Sequence, residues 1–146
     1  MNRMEIANSY HEKGYNCCQS TLAAFADRLG IPEETALRLG AGFGGGAGTG
    51  ELCGAITGAI LALDLIAGGD VTSEPAVAKR LAGTRAREMQ KRFAGQFGAL
   101  RCHDLLRNEQ EEASDAVRAL GITNHCGVMI ASAVEIVEEI LNEEGR

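Results

Sequence analysis

The chain has 146 residues, a formal net charge of −6, two prolines, no tryptophan and 4% aromatic residues. That length suits one domain, residues 1–146, whose core is built mainly from Ala, Leu, Ile and Val. The acidic balance leaves no basic footprint for nucleic acid and disfavours an anionic membrane surface.

Residues 2–13 read as a first helix, with Met4, Ala7 and Tyr10 or His11 on one face and Gly14 as its stop. Asn16 can cap a second helix, on which Cys18, Leu22, Phe25 and Leu29 form one apolar stripe. Cys17 is rotated about 100° from that stripe, toward Thr21 and Ala24. After Gly30, the run Pro32, Glu33, Glu34 opens a short helix to about Leu39. Residues 40–50 then carry seven glycines. No helix or strand survives that density, because each glycine adds backbone entropy to be lost, so this is a loop.

A helix from about Glu51 to Ala67 follows. Leu52–Ala67 is the most apolar stretch, but Asp64 lies inside it. It also falls short of the roughly 20 apolar residues of a membrane helix, so it reads as a buried helix with no membrane insertion. Ser73 can cap the next helix, with Glu74 and Pro75 in its first turn. That helix carries Val77, Leu81, Met89, Phe93 and Phe97, and its Lys and Arg residues between 79 and 92 face solvent. Gly98 breaks or bends it before Cys102, Leu105 and Leu106. Residues 107–114 read as polar surface, 114–120 as a short helix, 121–124 as a turn and 126–142 as the last helix. Nowhere does a β-branched run with a period of two occur. The expected fold is all-α, a compact bundle of five to seven helices with a glycine-rich loop before the central buried helix. The N-terminus has no apolar signal region, and the expected location is cytoplasmic.

Residues 40–45 fit G-x-G-x-x-G as letters, but a helix precedes them where the dinucleotide fingerprint needs a strand. The first Lys after the loop is Lys79, which excludes a P-loop. The chemistry therefore rests on the five cysteines, Cys17, Cys18, Cys53, Cys102 and Cys126. In a cytosolic chain such thiols are metal ligands or redox groups before they are structural disulfides; the plainer reading is a small buried hydrophobe. Cys53 falls in the first turn of its helix, and Cys17, Cys102 and Cys126 also stand near helix starts, where thiol pKa values fall. Gly54 and Gly58 make a flat face on which another backbone or a cofactor can lie. No C-x-x-C occurs, so a metal site needs ligands from four separate helices. His103 and His125 adjoin cysteines, and adjacent helical residues do not share a face, so they read as supporting or surface groups. His11 has no such neighbour. No residue presents itself as catalytic.

Gly14-Tyr15-Asn16-Cys17, then Gly42-Phe43-Gly44-Gly45-Gly46, then Cys53-Gly54-Ala55-Ile56-Thr57-Gly58, then Phe97-Gly98 with Cys102, then Cys126, resembles the C_GCAxxG_C_C family. The resemblance implies redox work by four characteristic cysteines, which fall on Cys17, Cys53, Cys102 and Cys126, with Cys18 as the extra one. Similar domains suggest an iron–sulfur cluster, and [2Fe–2S] suits four thiolates. N–H groups along Gly44, Gly45, Gly46, Gly48 and Gly50, with Gly54 behind them, would face its sulfurs. Two alternatives stand beside this: a metal-free thiol–disulfide protein with Cys53 as the activated thiol, and a structural zinc site with four cysteine ligands. The expected partner is a redox protein that the sequence does not name, and the small-residue faces would suit a homodimer.

Overall fold

The computed structural model describes residues 1–107 and 112–146. Among them the chain forms eight α-helices: α1 (Arg3–Glu12), α2 (Cys17–Ala23), α3 (Glu33–Gly40), α4 (Gly54–Ala67), α5 (Pro75–Phe97), α6 (Cys102–Arg107), α7 (Asp115–Arg118) and α8 (His125–Glu143). The all-α class holds, and the count exceeds the expected five to seven. The addition is α6. Gly98 takes a left-handed φ of 75° and ends α5 outright, so Cys102 starts a helix of its own.

Local chemistry sets most of the boundaries. Asn2 and Asn16 each close a capping box, with Glu5 and Gln19 as the reciprocal partners. Asn124 caps α8 by accepting the Gly127 N–H at 3.0 Å. α2 is shorter than its stripe predicts, because turns replace the helix after Ala23. Cys18, Leu22, Phe25 and Leu29 are nevertheless all buried. Ser73 does not cap α5. Glu74 holds that position, and Ser73 instead joins Thr72 in donating hydrogen bonds to Asp70. Within the stretch read as polar surface, residues 108–111 lie outside the described residues. Ala113 is buried, and the Ser114 hydroxyl accepts from the Val117 N–H at the start of α7 and donates to Glu135.

α8 is the spine of the core, with Met129, Ile130, Val134, Ile136, Val137 and Leu141 buried against α1, α2, α4 and α5. α4 is seated on α2 by its two glycines. A Cβ at Gly58 would stand 2.7 Å from the Cys18 carbonyl oxygen, and one at Gly54 would stand 3.1 Å from the Cys18 nitrogen. The flat face of α4 is thus filled by the α2 backbone. Among the described residues no helix is long and apolar enough to cross a membrane.

The start of α4 differs most from expectation. Glu51 and Leu52 are not helical. Leu52 forms an isolated antiparallel bridge with Arg101. The Cys53 N–H donates to the Leu100 carbonyl (2.9 Å), and the Cys102 N–H donates to the Glu51 carbonyl (2.7 Å). An Arg101–Glu51 ion pair at 3.1 Å closes the same bridge. Cys53 therefore sits before the first helical residue of α4, with extended ψ, and not in its first turn.

Candidate functional site

Each of the four separated cysteines has its own fixture. Cys17 opens α2 directly after Asn16. The Asn16 side chain accepts from the Gln19 N–H at 2.9 Å, and its amide donates to the carbonyls of Gly40 (3.2 Å) and Ala41 (3.1 Å). Gln19 adds a bond from its side-chain amide to the Leu37 carbonyl at 2.9 Å. The cap of the cysteine helix is thus also the anchor of the glycine segment. Cys53 and Cys102 are held by the backbone bridge. The bridge brings the two segments side by side, and the Cys102 charge acts on the Cys53 thiol. Cys126 is the second residue of α8. Its neighbour His125 pairs its Nε2 with the Leu105 carbonyl at 3.0 Å, which ties the start of α8 to α6.

The glycine segment folds over these fixtures. Gly45, Gly46, Gly48 and Gly50 all take positive φ, as does Ala47. A Cβ at Gly44 would fall 2.6 Å from the Asn16 Cβ, and one at Gly50 would fall 3.2 Å from the His103 Cβ. A Cβ at Gly54 would lie 3.2 Å from the Cys17 Cβ. Gly44, Gly50 and Gly54 thus press on Cys17, on its cap or on the neighbour of Cys102. Gly45 and Gly48 face open space, and Gly46 is packed against the Glu51 backbone.

The four thiols are electrostatic neighbours. The Cys17 and Cys126 thiols act directly on one another. That interaction, then burial, then the charges of Cys126, Cys53 and Cys102 push the Cys17 thiol far up. The same interaction pulls Cys126 down to about 6; burial opposes the shift and His125 assists it. Burial drives Cys53 up to about 11, against the pull of the Ala55 and Ile56 amides at the start of α4 and with Cys102 and Cys126 adding to the rise. Cys102 is raised by burial and then by Cys126. Cys18 stands apart: burial raises it, the Thr57 hydroxyl opposes, and no other cysteine acts on it.

These directions correct one expectation. Only the Cys126 thiol is lowered, and Cys17 and His125 lower it, not its helix start. At Cys53 desolvation outweighs the pull of the Ala55 and Ile56 amides, so the start of α4 does not lower its thiol below the ordinary value. Among the described residues no group of three or more His, Cys, Asp or Glu side chains stands at metal-binding spacing. The donor set nevertheless fits a four-thiolate centre in kind, since among the described residues no carboxylate acts on any of the four sulfurs. His103 lies outside the thiol group, on the surface of α6, where its Nε2 accepts from Arg107 at 3.3 Å. His11 is half-buried at the end of α1. Sequence reasoning did not find the Leu52–Arg101 bridge or the His125 tie, because neither has a periodic signal.

A family profile described as "Putative redox-active protein (C_GCAxxG_C_C)" matches residues 15–140. No curated protein and no solved structure matches the chain. The matched segment begins two residues before Cys17, contains all four of these cysteines and ends within α8. The chain belongs to the C_GCAxxG_C_C family.

Proposed function

We propose that this chain is a small redox protein that holds an iron–sulfur cluster, [2Fe–2S] favoured, through Cys17, Cys53, Cys102 and Cys126. Its work is electron transfer or redox sensing. One observation carries the reading: four thiols from four segments far apart in sequence share one electrostatic neighbourhood, while the fifth is kept out of it. A plain dithiol needs two such groups, and packing needs none. Four thiolates complete the ligand set of such a cluster. When bound, the cluster would supply one-electron chemistry. The chain's own part is to hold two sulfurs by the Leu52–Arg101 bridge and two at capped helix starts. The segment Gly44–Gly50 would offer backbone N–H donors to the cluster sulfurs, and such donors raise a cluster's potential.

Anaerobic purification followed by iron, zinc and acid-labile sulfide analysis tests the proposal. Two irons and two sulfides per chain are expected, with visible charge-transfer bands. Cys17→Ala should lose them. Colourless protein with one zinc per chain would sink the proposal in favour of a structural four-cysteine zinc site.

A further inference from the structure

The glycine face of α4 is taken by α2, so that small-residue surface is not free for a second copy. The surface left over lies at the far end of the helix. There α4 and the first turns of α5 enclose a groove of about 300 Å³, whose lining includes Asp64, Val71, Pro75, Ala78, Lys79 and Ala82. Val71 (65%), Val77 (38%) and Leu81 (44%) stand exposed at the same end.

The charges there are mixed. Residues 64–92 hold six Lys and Arg against four Asp and Glu, a balance of +2 in a chain of −6. Two copies therefore repel over most of their surface, and least at this end. Asp70 is committed to Thr72 and Ser73. Arg85 acts on Asp64 only through its field, since its guanidinium is bonded to Glu144. Asp64, Glu74, Lys79 and Arg80 have no ion pair among the described residues. Two unpaired acids and two unpaired bases beside three exposed apolar side chains make a patch that complements itself. A partner of one charge sign would set half of those groups against a like charge.

We propose that this end is a self-association surface. Two copies pair about a two-fold axis, each setting Val77 and Leu81 against the groove of the other, with Lys79 of one copy facing Asp64 of the other. Groove and apolar residues are adjacent on α5, as an isologous contact requires. The 14 residues of α4, about 20 Å of helix, separate this end from Cys53. The pair thus carries its two thiol groups at opposite ends, both open to solvent. The inference does not depend on what the thiols bind.

The test is sedimentation equilibrium of the full-length chain, kept reduced so that no thiol cross-link forms, over a series reaching several hundred micromolar. A monomer–dimer equilibrium is expected, with the mass rising from 15.4 kDa toward twice that value. Leu81→Glu should weaken the dimer about tenfold or more, with the helical circular dichroism unchanged. Leu106, 53% exposed at the cysteine end, is the control, and Leu106→Glu should leave the dimer intact. Lys79→Glu and Asp64→Lys should each weaken self-association, and an equimolar mixture of the two chains should recover it. A chain that stays at 15.4 kDa throughout would overturn the inference and leave the groove to a small apolar ligand or a foreign protein. A dimer that survives Leu81→Glu, one that Leu106→Glu breaks, or a charge-swapped mixture that stays apart would overturn it too.

Discussion

The two ends of α4 are built differently. At its start, fixtures come from far along the chain: Asn16 bonds to Gly40 and Ala41, Cys53 to Leu100, Cys102 to Glu51, and His125 to Leu105. At its far end Asp70 gathers Thr72 and Ser73 locally, and the distant contact there is between side chains, an ion pair of Arg85 with Glu144. α5 is nine residues longer than α4, an overhang of about 13 Å for a helix. Since the bridge aligns the two helices at the cysteine end, the excess projects at the other. Val71, Val77 and Leu81 are accordingly exposed there. Long-range bonds made by the backbone are concentrated at the cysteine end, so the same class of substitution should have unequal consequences at the two ends.

Glycine replacement should give the largest contrast. Gly46 has a φ of 65°, and a Cβ there would lie 2.4 Å from the Glu51 backbone nitrogen. Gly46→Ala should cost about 3 kcal/mol in urea unfolding. Gly69 has open space around it and an ordinary φ, so Gly69→Ala should stay within about 0.5 kcal/mol of zero. Equal effects would show that the two ends are equally constrained.

Cap removal comes next. Asn16→Ala deletes a helix cap and two bonds to the glycine segment, a loss of about 2 kcal/mol. Ser73→Ala, outside any cap, should change stability by less than about 0.5 kcal/mol. The ratio of the two midpoint shifts is the measurement.

Cys18→Ala should cost on the order of 1 kcal/mol in packing and leave cofactor content unchanged. If this variant, and not Cys17→Ala, emptied the site, the thiol beside Thr57 would belong to the cluster.

The smallest effect concerns pH. The Tyr10 hydroxyl donates to Glu33, which carries α1 to the start of α3. That bond and burial raise its pKa from 10.0 to about 12. A raised folded-state value means the contribution is whole below pH 10 and is lost as pH climbs toward 12. Absorbance titration should show late ionisation of one tyrosine, and Glu33→Gln should move it earlier. The gain is small, since the pair is exposed to solvent.

Much of this arrangement was legible in the residues. Asn16 announced a helix start, and the spacing of Cys18, Leu22, Phe25 and Leu29 separated Cys18 from Cys17. Both signals are local, and local periodicity survives in the fold. The start of α4 was not legible. Glu51 and Leu52 have side chains that suit a helix, and only the distant Arg101 backbone draws them into a bridge. The Cys53 pKa failed for the same reason, since desolvation depends on what the rest of the chain lays over a residue. Gly98 signalled the break that leaves Cys102 at a helix start.

The Leu52–Arg101 bridge also bears on how the molecule assembles. It closes a hairpin whose arms, α4 and α5, are consecutive in the chain and pack on each other. Contacts of low sequence separation form early, because less loop entropy opposes them. Zipping that hairpin brings Cys53 and Cys102 together without help from α2 or α8. Cys17 and Cys126 meet only when helices from opposite halves of the chain dock. Folding therefore delivers the thiols as one ready-made pair and one late pair.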